Sequence, residues 1–314
     1  MPDADDLAIF PVDQWISKCV EWIALNLRPL FMAIKWPVEA LLALTDDTLH
    51  RVPFPVLIFL AFLITARAAG LGVGIFSTVS LLVVAALGVW SEAMTTLSLI
   101  VTAILLCILI GVPAGIACAR SDRAWNIVRP ALDLMQTTPS FVYLVPVVML
   151  FGVGTVPGEV AVVIAAVPPL IRFTNLGLRM VDHEMVEAGL AFGANGRQLL
   201  WEVRLPLALP TILGGLNQTV LTAMVMSVVI AMIGAQGLGL VVLQGIGRLD
   251  VGRAAVGGIA IVLLAMVLDR VTQKLAQPQR SAKPMSRTLL GIVCGERLGA
   301  ALSRRPSNRP EART

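Results

Sequence analysis

A chain of 314 residues that is 57% hydrophobic and 14% charged, with net charge +4 and mean hydropathy +0.85, is built for a bilayer. Soluble proteins carry about 25% charged residues, so a water-soluble enzyme or nucleic-acid binder is excluded and an all-α polytopic membrane protein is expected. Cys19, Cys107, Cys118 and Cys294 are scattered, with neither a disulfide framework nor a CxxC pair. His183-Glu184 lacks the second histidine of a zinc helix, so no metal is expected. Gly-Lys does not occur, which removes the Walker phosphate loop; the chain should neither hydrolyse ATP itself nor hold a cofactor.

The N-terminus carries Asp3, Asp5 and Asp6 without an early Lys or Arg, unlike a signal peptide. From Val12 to Phe31, the apolar positions Val12, Trp15, Ile16, Cys19, Val20, Ile23, Leu27 and Leu30 oppose Asp13, Lys18, Glu21 and Arg28. This predicts an amphipathic helix, lying in the membrane interface or packed across the bundle, within an external region 1–52. A transmembrane domain over 53–275 follows, with about seven spans at 53–70, 72–90, 93–119, 139–157, 160–177, 207–233 and 254–272. Seven crossings put Arg120, Arg123, Arg129, Arg172, Arg179, Arg197, Arg204, Arg270 and Lys274 on one side, which the positive-inside rule makes cytoplasmic. The N-terminus is then outside and the C-terminus inside.

Polar side chains within the spans are few. Gln136, Thr137 and Thr138 open the fourth span, with Tyr143 just beyond, and Asn217, Gln218 and Thr219 lie in the sixth. Such groups either bond helices together or line a pathway; helix joining is the favoured use. Ion-coupled carriers place titratable groups inside the bilayer, and here Glu159 and Arg172 fall near span ends. Energy from outside the membrane is the expectation, although a sodium carrier using backbone carbonyls stays open. Pro146, Pro168-Pro169 and the glycine-rich stretch 234–239 are candidate helix breaks, the last favoured as a plain external turn.

The polar island at 180–206 is the other landmark. Glu187, Arg197, Gln198, Glu202 and Arg204 make it water-loving, while Ala188, Ala191, Phe192, Leu199, Leu200 and Val203 recur at roughly helical spacing. Gly193 interrupts the pattern, which predicts a short helix, a tight turn at Gly193 to Gly196, and a second short helix closed by Pro206. Glu187-Ala188-Gly189, then Gly193, Val203 and Leu205-Pro206, resemble the Glu-Ala-Ala, Gly, Ile, Leu-Pro signature of the membrane subunits of bacterial ATP-binding-cassette importers. Gly189 replaces the second alanine and Val203 the isoleucine. The segments 12–31, 132–154 (LDLMQTTPSFVYLVPVVMLFGVG), 205–219 and 245–258 are similar to the permeases of proline/glycine-betaine importers.

That resemblance covers about residues 10–275. It implies a type I importer permease fold, a homodimer, two ATP-binding subunits on the cytoplasmic side, and an external or periplasmic solute-binding protein. Glu187, Ala188, Gly189, Gly193, Val203, Leu205 and Pro206 would form the loop that couples to the ATPase. Glycine betaine, proline betaine, choline, carnitine, proline and histidine remain open as solutes. An ion-coupled carrier and a membrane scaffold are the rival classes. The tail at 276–314 is strongly basic, broken by Pro278, Pro284, Pro306 and Pro310, and is expected to be disordered and drawn to anionic lipid.

Overall fold

The computed structural model describes residues 15, 18, 21–23 and 25–276. The basic tail from residue 277, and most of the amphipathic stretch expected at 12–27, lie outside the described residues. Among the described residues the chain is helical, with no strand. In order the helices are α1 (Arg28–Arg51), α2 (Phe54–Ala69), α3 (Leu71–Ala86), α4 (Trp90–Arg120), α5 (Asp122–Thr137), α6 (Leu144–Phe151), α7 (Thr155–Arg179), α8 (His183–Ala191), α9 (Gly196–Ile233), α10 (Leu238–Gly247) and α11 (Val251–Ala276).

Among the described residues, α4, α7, α9 and α11 are long and apolar enough to cross a membrane; α1 and α2, bent by 108°, add a fifth as one broken span. The α3 helix has 16 residues, about 24 Å at 1.5 Å per residue, against a hydrocarbon core of about 30 Å. The expected span at 139–157 is not one helix. Thr138 is extended (ψ 128°) ahead of Pro139, because the proline ring disfavours α-helical geometry in the residue before it. Gly152 and Gly154 then take φ of +90° and +128°, which isolates the eight-residue α6.

At the centre is α7, with 67% of its apolar window buried, against 39% for α4, 44% for α9 and 22% for α11. Small residues allow that burial. A Cβ on Gly115 of α4 would stand 2.5 Å from the Thr174 Cβ, and one on Gly215 of α9 would stand 2.4 Å from the Phe173 Cβ. The large apolar side chains point outward instead, as with Phe59, Leu63, Ile75, Val79 and Leu109. That arrangement suits a solvent as apolar as leucine itself.

Polar bonds tie the helices together at depth. The Thr219 hydroxyl of α9 donates to the Ala166 carbonyl of α7 at 3.0 Å, and Thr272 of α11 donates to the Asn217 Oδ1 of α9. Pro168 and Pro169 leave α7 unbroken, even though they remove two helical donors. Near the carbonyls they free, Thr219 bonds to Ala166 and the Cys107 thiol donates to the Val163 carbonyl at 3.9 Å. Thr45 and Thr102 (2.7 Å), with Ser98 donating to Asp46 (2.9 Å), dock α1 along α4.

The glycine-rich stretch at 234–239 is a turn at the end of the bundle away from Arg179, and a partly buried one, with Gly234 and Gln236 exposed. Ala235 and Leu238 are buried, and the Leu238 N–H donates to the Thr96 Oγ1 of α4 at 2.8 Å. A Cβ on Gly237 would come 2.6 Å from that same oxygen, so side-chain bulk is excluded there. Glu159, in the first turns of α7, is likewise wholly buried, and neither carboxyl oxygen has a hydrogen-bond partner. It keeps its place near the span end while being enclosed by neighbouring helices.

Two contacts set the level of the helix ends. Arg179, at the end of α7, donates to the Cys118 carbonyl of α4 (2.9 Å) and to Asp122 of α5 (2.7 Å). Gly177 packs against Ala208 and Thr211 of α9. At the other end, the Gly154 N–H donates to the Ile233 carbonyl at 3.0 Å. The α5–α6 segment therefore carries the chain from one end of the bundle to the other, and α8 with the start of α9 sits at the end marked by Arg120 and Arg179.

Candidate functional site

The element at that end is a helical hairpin whose turn is written in the sequence. α8 stops at Ala191, and Gly193 takes φ +82°. The Gly193 N–H donates to the Leu190 carbonyl (2.9 Å) and the Ala194 N–H to the Gly189 carbonyl (3.1 Å), the paired bonds of a Schellman stop. Asn195 opens the next helix with a capping box. Its Oδ1 accepts from the Arg197 and Gln198 N–H groups (3.1 and 2.9 Å), and the Gln198 Oε1 accepts from the Asn195 N–H (3.0 Å).

Pro206 does not close this second helix. Leu199–Arg204 is a π-helical segment that runs straight into the α-helical Leu205–Val229, so the hairpin's second arm is the first part of the membrane helix α9. The wider turn explains why. A proline has no N–H and its ring crowds the carbonyl four residues back; bonds reaching back five residues, such as Leu205 N–H to the Leu200 carbonyl, re-route the ladder just before it.

The signature residues come together on this element. Val186 and Leu199 are buried on the hairpin, and Leu200 is buried in the main core of the bundle. A Cβ on Gly189 would meet the Leu199 Cδ1 at 3.0 Å and the Val203 Cγ2 at 3.4 Å, so the glycine in the alanine position is where the arms touch most closely. Glu187 and Ala188 are exposed, and the Glu187 Oε1 lies 3.1 Å from the His183 Nδ1. Val203 and Leu205 are half-buried, and Gly193 and Pro206 exposed. The hairpin leaves apolar side chains uncovered: Phe192, part of the apolar pattern, is 93% exposed, and Leu190, Met185 and Trp201 are also open to solvent. The signal was available, because apolar residues in a polar island that the arms do not bury need another partner.

The residues proposed to line a pathway do not form one cluster. Gln136 and Thr137 are exposed at the end of α5, Thr138 half-buried, and the Thr137 and Thr138 hydroxyls donate back to the Asp133 and Leu134 carbonyls. Tyr143 is half-buried just before α6. On α9, Asn217 and Thr219 join helices, while Gln218 is exposed. The sequence reading also passed over two ion pairs, Arg172 with Asp133 and Arg179 with Asp122, that clasp α5 to α7. Trp125, Val128, Leu132 and Met135 recur with helical period on α5 and face the core, which could have marked α5 as a packed amphipathic helix.

Residues 111–280 match the family model of the binding-protein-dependent transport system inner membrane component. The glycine betaine/proline betaine transport system permease protein ProW of Escherichia coli (strain K12) is 50% identical over 273 residues, covering 87% of this chain and 77% of ProW. The glycine betaine/carnitine transport permease protein GbuB of Listeria monocytogenes serotype 1/2a (strain 10403S) is 40% identical over 280 residues, 88% of this chain and 99% of GbuB. An inward-facing structure of the MetNI methionine ABC transporter superposes with a TM-score of 0.55 at 20% identity, covering 60% of this chain and 94% of that one, which shows a shared fold. With the family model over more than half of its length and a half-identical relative along most of it, this chain belongs to the inner-membrane components of binding-protein-dependent transport systems.

Proposed function

We propose that this chain is the membrane-spanning permease of an ATP-driven importer for betaine-type compatible solutes. The observation that carries the reading is the 50% identity to a glycine betaine/proline betaine permease along 87% of the chain. Two copies form the translocation unit, two separate ATP-binding subunits supply the energy, and an external binding protein delivers the solute. Glycine betaine and proline betaine lead the candidate solutes; carnitine, choline and proline follow.

The hairpin fits the coupling role physically. Its α8 arm packs on a second arm that is continuous with α9, so displacement of the hairpin is passed to a membrane helix through backbone hydrogen bonds rather than through a slack loop. Phe192, Leu190 and Trp201 offer apolar anchors, and Glu187 and Arg197 a charged rim, the usual make-up of a docking surface. The basic end of the bundle is the cytoplasmic end, with the C-terminus inside; an outside N-terminus is part of this proposal and requires an odd number of crossings.

Orientation is checked by labelling. With Cys19 and Cys294 changed to serine, the remaining native thiols, Cys107 and Cys118, are buried. The substitution Phe192→Cys should then react with an impermeant maleimide in inside-out vesicles and not in intact cells, and addition of the ATPase should block the reaction. Labelling of intact cells would place the hairpin outside. The transport reading is tested in proteoliposomes containing this subunit and its ATPase. Uptake of radiolabelled glycine betaine should require both ATP and the binding protein, whereas accumulation driven by an ion gradient without nucleotide would make the chain a secondary carrier.

A further inference from the structure

A cavity of about 290 Å³ opens between α5 and α7, lined by Trp125, Arg129, Asp133, Arg172, Asn175 and Leu176. Its size lies near the lower end of the ~300–1,000 Å³ usual for small-molecule sites. Arg172 is seven residues inside Arg179 along α7, about 10 Å deeper into the bundle at 1.5 Å per residue. The charges remain partly open there: side-chain exposure is 34% for Arg172, 51% for Asp133 and 65% for Arg129. Charged groups at such depth face water-filled cavities or protein rather than lipid.

The charges do not cancel. Asp133 pairs with Arg172 and stands 3.9 Å from the Arg129 Nε, so two guanidinium groups share one carboxylate. The Nε of Arg172 is buried with no acceptor. Asn175 is buried too, and its Oδ1 accepts from the Arg179 Nε at 2.8 Å, leaving its NH₂ group to donate. The lining thus has surplus donors and one net positive charge for a planar oxyanion, beside a carboxylate and an indole. A simple anion would answer the guanidinium groups but repel Asp133. A zwitterion answers both: its carboxylate meets Arg172 and Asn175, and its quaternary ammonium meets Asp133 and the ring of Trp125.

We infer that this cavity is a solute site within the permease, taking small zwitterions with a quaternary ammonium and a carboxylate, with Arg172 and Asp133 as its two poles. The inference rests on the transport reading above and adds the residues that recognise the solute after the binding protein releases it. The resting Arg172–Asp133 pair is the contact a bound zwitterion divides between its two ends. A phospholipid headgroup has related chemistry, so the test separates the two sources.

The test uses the subunit assembled with its ATPase: binding is read in nanodiscs without the binding protein, and uptake in proteoliposomes with it. Saturation-transfer NMR on the methyl protons of glycine betaine should show saturable binding. The double substitution Asp133→Arg with Arg172→Asp restores an ion pair between α5 and α7 but exchanges the poles, so it should weaken binding at least tenfold and raise the KM of uptake by a similar factor. Trp125→Leu, which keeps an apolar side chain, should weaken binding several-fold. Normal binding and KM in the double variant would reduce the pair to a helix clasp and overturn the site. Uptake by wild type without saturable binding would overturn it as well, as would a tightly held phospholipid, seen by native mass spectrometry, that blocks glycine betaine. Saturable binding without ATP-driven uptake would sink the transport reading and leave the site standing.

Discussion

Gly193→Pro abolishes ATP-driven uptake, by tenfold or more, while the subunit stays in the membrane at wild-type abundance. The turn requires φ +82° at this position, and a proline ring holds φ near −65°. The substitution also deletes the N–H that donates to the Leu190 carbonyl, half of the stop that turns α8 back towards α9. Damage stays local, because no atom beyond the chain neighbours lies within 4 Å of a Cβ built there. Gly193→Ala is the control: it retains the N–H and pays about 1–2 kcal/mol for a left-handed conformation, so a partial loss of uptake is expected. The measurement is initial uptake rate normalised to subunit amount. Normal uptake by the proline variant would show that the geometry of the hairpin is not what couples ATP to transport.

Gly115→Val lowers stability instead, and does so in the middle of the bundle. Its Cβ would stand 2.5 Å from the Thr174 Cβ and 2.9 Å from the Ile171 carbonyl oxygen. A side chain can rotate away, whereas a backbone oxygen inside α7 cannot, so α4 and α7 must separate. Overpacking of this kind costs about 1–3 kcal/mol, which for a chain of this size lowers Tm by roughly 2–8 °C. The comparison is Gly258→Val on α11, where nothing lies within 4 Å of the added Cβ and Tm should hardly move. Thermal unfolding followed by tryptophan fluorescence in detergent reads both. Equal midpoints for the two variants would mean that α4 and α7 are not held at the closeness described.

The two positions also show how far residue order alone reaches. Gly193 is legible in the sequence, because a glycine amid a helical pattern with Asn195 and Gln198 behind it specifies stop, turn and restart through bonds among near neighbours. The ends of α4 are legible for a similar reason: a long apolar run between Trp90 and Arg120 has one way to satisfy its backbone in lipid. Pro206 misled, since a proline normally breaks a helix and only the π-helical register before it shows how α9 passes through. Glu159 does stand near a span end, but its enclosure was not legible, because its burial comes from neighbours distant in the chain.

Membrane character, the hairpin signature and the family were set by the sequence itself, since hydropathy, caps and turn glycines act over a few residues and leave their pattern in the order of side chains. Which glycines mark helix contacts, where the expected fourth span breaks into α6 and the start of α7, and that Arg172 meets Asp133 across 39 positions were decided by tertiary packing. Those outcomes depend on which helix lies opposite which, and residues far apart in the chain carry no local trace of that choice.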